Sequence, residues 1–189
     1  MRVIAGSARR MNLVTPKGND TRPTQDRIKE TLFNMIQTLV PGSVFVDLFA
    51  GSGAIGIEAL SRGAKRAYFV ENNKEAAGCI AQNLQHTHLE DKGTVLKQDV
   101  VLALRNIREK EVDIVYMDPP YHQDEYLRTM NHLMAMPWVT ENTLVLAECS
   151  VDEDIAAIEE TGFHVIREKN YKSNRHLFLK KTCEEDSNE

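Results

Sequence analysis

The stretch VFVDLFAGSGAIGIEAL, residues 44–60, decides how this chain is read. Its first six residues, Val44 to Phe49, have the length and the β-branched and aromatic content of a buried strand. Gly51, Gly53 and Gly56 then fit the GxGxxG pattern, directly after that strand and at the opening of a helical pattern. Glycines let the backbone turn sharply and approach a ligand closely, and a helix start offers unpaired N–H groups. Alone, the pattern describes many tight turns. A second feature adds to it: Glu71 ends the next apolar run, twenty residues after Gly51. A carboxylate there can accept hydrogen bonds from both ribose hydroxyls of an adenosine.

Working outward, apolar runs alternate with amphipathic stretches of helix length. Runs 67–70, 94–96, 112–117 and 144–147 read as further strands, with helices near 53–62, 73–87, 99–108, 123–135 and 152–160. This alternation predicts an α/β fold, a parallel sheet with helices on both faces. Runs 163–166 and 176–179, joined by a polar and basic connection, read as an antiparallel pair closing one sheet edge. Upstream, residues 2–5 and 12–14 read as a small β-hairpin over a basic turn with Arg9 and Arg10. Residues 15–23 are rich in turn formers. A helix capped by Thr24 or Asp26 is expected to reach about Leu39, where Pro41 and Gly42 stop it. The expected organisation is an extension over 1–43, a main domain over 44–181 and a disordered acidic tail over 182–189.

With 189 residues, 42% apolar and 27% charged, the chain matches an ordinary globular protein of one domain with a small appendage. That size holds a core without disulfides or metals. Cys79, Cys149 and Cys183 form no CxxC spacing and the histidines no HExxH grouping, which argues against a zinc ribbon or a redox motif. No apolar run approaches ~18 residues, and MRVIAGSARR has no apolar signal core, so a reduced, cytoplasmic protein is expected. The net charge of −5 is unevenly spread. Residues 1–36 carry seven Lys/Arg against three Asp/Glu, 166–181 six against one, and 37–165 ten against twenty. Two basic ends flank an acidic middle, and local charge matters more than the total for meeting phosphates.

On these residues the adenosine ligand has two forms. A nicotinamide dinucleotide would set its pyrophosphate on the glycine loop. S-adenosylmethionine lacks phosphate and needs room for its methionine part and a polar anchor. Asp47, four residues before Gly51, suits the ammonium of S-adenosylmethionine and would repel a pyrophosphate. Asp99 can accept from an adenine amine, cap the helix that follows, or do both.

Asp118-Pro119-Pro120-Tyr121 follows the fourth strand. Two prolines supply no N–H and hold the backbone in an extended turn, so the Pro119 carbonyl can point into a cleft. Asp118 and that carbonyl can each accept one N–H of an exocyclic NH2 while Tyr121 stacks on the base. Such an amine is a poor nucleophile because its lone pair is delocalised into the ring. Two acceptors favour a more tetrahedral nitrogen, its lone pair aimed at a sulfonium methyl. Catalysis is then orientation, electrostatics and exclusion of water, with no strong base, since the proton leaves after methyl transfer. His122 reads as a solvated neighbour.

With VDLFAGSGAIGIEAL (46–60), Glu71, Asp99 and DPPY (118–121) in this order, the chain resembles class I S-adenosylmethionine-dependent amino-methyltransferases. Residues 22–34, RPTQDRIKETLFN, preceded by RVIAG at 2–6, narrow the likeness to the RsmD-type bacterial 16S rRNA guanine-N2 methyltransferases, over residues 2 to about 180. The resemblance implies a Rossmann-like, seven-stranded, mostly parallel sheet with a reversed last strand and an N-terminal β-hairpin extension. It implies methyl transfer to N2 of guanine 966 of 16S rRNA, on an assembled or assembling small subunit. Asp118, Pro119 and Tyr121 match the family's catalytic tetrapeptide, and Asp47, Gly51, Gly53, Glu71 and Asp99 its cofactor motifs. Their neighbours Phe49, Ser52, Asn72 and Val100 complete the candidate cofactor set. Related enzymes bind the methionine end at the RPT segment, so Arg22 or Thr24 meets either that carboxylate or RNA. Arg9, Arg10, Arg27, Lys172 and Arg175 are the further candidates for RNA, and no metal is expected. The pattern departs from the family at Lys29, often Arg, and at Asn72-Asn73, where an acidic residue often follows Glu71. Three other readings share parts of these motifs: a DNA adenine-N6 methyltransferase, a protein or small-molecule N-methyltransferase, and a nicotinamide-dependent oxidoreductase, which leaves DPPY without a role.

Overall fold

The computed structural model describes residues 1–16, 23–119 and 123–182, the side chains of 23–25 and 123–124 apart. Seven strands form one sheet: β1 (Val44–Leu48), β2 (Arg66–Val70), β3 (Gly93–Leu96), β4 (Ile114–Met117), β5 (Leu144–Ser150), β6 (Phe163–Asn170) and β7 (Asn174–Lys181). Their order is β3-β2-β1-β4-β5-β7-β6. The first five pair in parallel, and β7 runs antiparallel to both β5 and β6. The last two strands are the antiparallel pair read from the sequence, but β7 inserts inside β6, so β7 alone is reversed. The helices are α1 (Pro23–Met35), α2 (Ala54–Ser61), α3 (Lys74–His86), α4 (Val100–Asn106), α5 (Gln123–Met134) and α6 (Ile155–Glu159).

Every residue of β1 is buried, as a parallel strand covered on both faces requires. Val44, Val46 and Leu48 pack in one core with Leu104 of α4, Met130 of α5 and Ile158 of α6. Phe45, on the opposite face, packs with Phe33 of α1, Ile57 of α2 and Ile80 of α3. Helices α1–α3 therefore cover one face and α4–α6 the other. Helix α1 stops at Met35, short of the expected Leu39. A turn there lets Val40 enter the core while Leu39 stays exposed.

The N-terminal segment forms a shorter and less regular hairpin than the one expected of it. Around the Arg2–Asn12 bridge the Val3 N–H donates to the Met11 carbonyl, the Leu13 N–H to the Met1 carbonyl and the Arg10 N–H to the Val3 carbonyl, a pairing too short to make two regular strands. It stays short because its remaining backbone groups find partners elsewhere. The Glu58 carboxylate accepts from the N–H groups of Ile4 (2.8 Å) and Ala5 (3.0 Å). Ser61 donates to the Ala5 carbonyl and accepts from the Ala8 N–H. Asn83 brackets Val14 with both ends of its amide, at 2.7 and 2.8 Å. A Cβ on Gly6 would lie 1.8 Å from the Ser61 carbonyl oxygen, so only glycine lets the strap press this closely. Val3, Ala8 and Leu13 join the α1–α3 core.

Glu58 is fully buried and also meets Arg62 Nε at 2.7 Å and Lys29 Nζ at 3.5 Å. Lys29 is equally enclosed and donates to the Arg2 carbonyl at 2.6 Å. Burial pulls its pKa down, with the Glu58 charge opposing. Removing one member of such a pair strands the other charge away from water. Glu58→Ala is expected to cost about 3–5 kcal/mol of stability in chemical unfolding. It should also speed proteolysis within residues 1–16. Wild-type stability in that variant would show that the strap is held by its apolar residues alone.

Candidate functional site

Strand β1 has β2 on one side and β4 on the other, so the carboxyl ends of these three strands border the point where the strand order reverses. Open α/β sheets take their ligands in the crevice at such a point. The loop leaving β1 has left-handed backbone at Phe49 (φ 60°), Gly51 (φ 55°) and Gly53 (φ 78°). Glycine adopts this at no steric cost, whereas Phe49 stores strain on the order of 1–3 kcal/mol. A Cβ on Gly51 would meet nothing within 4 Å, so this side of the loop faces open space.

Three carboxylates gather at these strand ends. Asp47 accepts from the Gly56 N–H at 2.8 Å and is 1% exposed. Burial pushes its pKa well up, and the charges of Asp118 and Glu71 push the same way against the Gly56 hydrogen bond. The carboxyl is therefore enclosed, and what it visibly does is tie α2 to β1. Glu71 accepts from the Gly51 N–H and the Asn73 N–H, both at 2.8 Å, one on each oxygen. Each oxygen keeps a second lone pair for a ligand hydroxyl. Asn72 is exposed beside it, and Ser52 is buried with its carbonyl accepting from Asn83. Asp99 caps α4 through the Val101 N–H (3.0 Å) and pairs with Arg128 of α5 at 3.2 Å. Arg128 went unremarked in the sequence, where nothing marks it as a neighbour of Asp99. Val100 packs its side chain into the core, which leaves its backbone alone for any ligand.

Asp118 directly follows β4, with Pro119 buried behind it. Continuing the β4–β5 register from Met117 and Ala147 sets Asp118 beside Glu148, and Glu148 is paired with His176 of β7. Glu148 accepts from Tyr116 (2.8 Å), from Asn174, and from His176 Nε2 at 3.0 Å. With that ring nitrogen donating, the His176 Nδ1 is left to accept from the Tyr171 hydroxyl at 3.3 Å. Burial raises the Glu148 pKa, yet the bonds from His176, Tyr116 and Asn174 outweigh it and hold the group below its ordinary value. Asp118 moves the other way. Its carboxyl can be reached by water but is crowded by protein, and this loss of solvation together with the Glu148 charge raises its pKa to about 7. The sequence signal for this row was a charged residue inside the apolar run LVLAECS.

Arg9 and Arg10 are exposed at the tip of the strap, Arg27 on α1 and Lys172 in the β6–β7 turn. Arg175 is not a surface cation. Its guanidinium donates to the Glu153 carbonyl and meets Glu168 at 3.7 Å, and it is 8% exposed. That burial takes it out of the RNA-facing set. Arg22, Tyr121, His122 and the Thr24 side chain lie outside the described residues. Among the described residues no cluster of His, Cys, Asp or Glu could hold a metal ion, and no helix is long and apolar enough to cross a membrane. No cation among the described residues pairs with Asp47, Glu71 or Asp118, which suits a positively charged ligand that also carries hydroxyls.

The model of the family described as conserved hypothetical protein 95 matches residues 1–180. Ribosomal RNA small subunit methyltransferase D of Haemophilus influenzae is 33% identical over 171 residues, 89% of this chain and 88% of that protein. The protein of the same name from Escherichia coli strain K12 is 31% identical over 158 residues, 84% of this chain and 79% of its own. A solved Escherichia coli chain superposes with a TM-score of 0.81 at 29% identity, covering 97% of this chain and 99% of that one.

The raised Asp118 pKa has a consequence for stability. Between its unfolded value of 3.8 and about 7 the native state binds the proton more tightly, so the group's contribution is full below 3.8 and lost as pH rises through about 7. Asp118→Asn is therefore expected to be more stable than wild type at pH 8 and to lose that advantage at low pH. Glu148→Gln should move the Asp118 titration, followed by carboxyl NMR, toward acid. An Asp118 titrating near 4 in the wild type would rule out this account.

Proposed function

The chain belongs to the family described as conserved hypothetical protein 95, and on that footing we propose that it methylates an exocyclic amine of small-subunit ribosomal RNA, N2 of a guanine, using S-adenosylmethionine. One observation carries the reading: an acidic crevice at the ends of β1 and β2 adjoins Asp118 and Pro119 at the end of β4. The relatives' names support ribosomal RNA of the small subunit. The guanine, and position 966 within it, rest on the resemblance of the DPPY and RPT segments.

The residues present fit the cofactor. Bound S-adenosylmethionine supplies an electrophilic methyl group on a sulfonium. Glu71 has one free lone pair on each oxygen for the two ribose hydroxyls. The acidic groups beside the glycine loop, Asp47 and Glu71, disfavour a pyrophosphate there, which separates this reading from a nicotinamide enzyme. Asp118 and the Pro119 carbonyl each accept one N–H of the target amine and turn its lone pair toward the methyl. Tyr121 stacks on the base. With a pKa of about 7, Asp118 can also hold the proton that leaves the amine after methyl transfer and pass it to water. The guanine must leave its stack, at a cost of about a few kcal/mol that is smaller in a loop. Exposed Arg9, Arg10, Arg27 and Lys172 offset that cost by neutralising phosphates.

Incubation with S-adenosylmethionine and unmethylated small subunits is expected to yield one new N2-methylguanosine, identified by mass. Asp118→Ala should lower turnover by about 10²–10³-fold, on the scale of losing an oriented polar contact in a transition state, and leave cofactor affinity near wild type. Glu71→Ala should weaken cofactor binding by about 1.5–3 kcal/mol. The wild-type kcat/KM should rise with pH up to about 7 and level off as Asp118 ionises. Cofactor binding without methylation of the subunit would return the substrate to DNA or protein.

A further inference from the structure

Helix α1 and the β6–β7 turn flank an open cavity of about 360 Å³ whose rim carries Arg27 and Lys172, proposed above as phosphate contacts, and whose interior has no role so far. Arg27 and Ile28 line it from α1, and Lys169, Tyr171, Lys172 and Asn174 from the turn and its flanks. We infer that this cavity binds a second ribonucleotide of the same RNA, unstacked like the target and held beside it. The inference rests on RNA being the substrate.

Its place in the sheet is the first argument. Asp118, Glu148, His176 and Lys169 follow one register row across β4, β5, β7 and β6. Three strand spacings of ~4.8 Å put the cavity end of that row about 14 Å from Asp118. That is roughly four stacked nucleotides at ~3.4 Å each, and fewer along an extended strand. Tyr116 and Phe178, on the same face as this row, belong to the core that α1 covers, so the cavity and Asp118 lie on one side of the sheet.

Its chemistry is the second. Arg27, Lys169 and Lys172 offer three cations to a phosphate. Glu168, the neighbouring acid, is already engaged by Arg175 and Asn170. A phosphate alone would leave most of the space unfilled, since cavities of roughly 300–1,000 Å³ hold whole small molecules. The Tyr171 ring and Ile28 supply apolar walls for a flat base, and the Asn174 amide oxygen, its nitrogen being bonded to Glu148, supplies an acceptor for the base edge. Tyr171 is held in place before any ligand arrives, by an edge contact to His176 (centroids 5.1 Å, 75°) and by its hydroxyl on Nδ1. A fixed aromatic ring among cations is the combination that single-stranded RNA modules use to capture an unstacked base.

The test is fluorescence anisotropy of the full chain with a labelled single-stranded RNA pentamer at several salt concentrations. Arg27→Ala with Lys172→Ala is expected to weaken binding at least fivefold and to lower the salt slope by about 1.4, two contacts at ~0.7 each. Tyr171→Leu should weaken binding threefold or more at an unchanged slope, and Tyr171→Phe, which keeps the ring, should bind as wild type. Affinity for S-adenosylmethionine, measured on every variant, reports that each is folded. Wild-type RNA binding by Tyr171→Leu alongside weakened binding by the double variant would overturn the inference in favour of a phosphate contact only. Wild-type binding by both would overturn it outright. The same variants should raise KM for small subunits at least fivefold. A wild-type protein that binds the pentamer through this cavity but methylates no guanine would overturn the proposed reaction and leave the cavity standing.

Discussion

A parallel strand with parallel neighbours on both sides cannot be joined to either by a tight turn. Strand β1 is in that position between β2 and β4, and the chain must leave it, cross a face of the sheet and return. That requirement puts α2 and α3 on one face and α4 to α6 on the other, and it buries all five residues of β1. It also leaves the carboxyl ends of the three strands open to the same crevice, because the connections depart there in opposite directions. The candidate chemistry occupies that opening, and no residue in it could be moved without changing the strand that carries it.

The electrostatics of the crevice are unbalanced by construction. Asp47, Glu71 and Asp118 come from the ends of three adjacent strands; backbone N–H groups hold Asp47 and Glu71, and the charges of Glu71 and Asp118 disfavour ionisation of Asp47. Glu148 is the contrasting case. Three donors keep it charged, and its charge in turn holds the Asp118 proton on to about pH 7. One carboxylate is stabilised so that its neighbour is not, the arrangement by which environments split the roles of two like groups. Ionising Asp118 in this setting costs the native state stability above about pH 7.

The N-terminal strap and α1 are tied to the sheet domain by polar groups that are themselves buried. Glu58 alone satisfies two strap N–H groups and two cations. Each of those partners is needed, because a buried carboxylate with fewer would be heavily penalised. The strap thereby fixes α1, and α1 in turn forms one wall of the cavity over the β6–β7 turn.

Much of this was legible in the linear order of residues. The alternation of apolar runs and amphipathic stretches, the glycine loop after Val44–Leu48 and Glu71 at the next strand end require only local periodicity and spacing, and these carry through to the fold. The position of Asp118 after β4 was legible for the same reason. Other features depend on which residues far apart in the chain become neighbours. The insertion of β7 inside β6 is set by pairing with β5, which no local pattern encodes. The N-terminal hairpin stays short because other backbone groups of its arms and tip bond to Glu58, Ser61 and Asn83, between 53 and 69 residues away. Arg175 looked like one more surface cation in a basic stretch, and only packing against Glu153 and Glu168 buries it. Sequence by itself determined the fold class, the glycine loop and the identity of the acidic groups, since those follow from periodicity and residue type. Tertiary structure alone decided which acids are open, which are structural and which carry a shifted pKa, because solvation and charge are properties of a residue's neighbours in space.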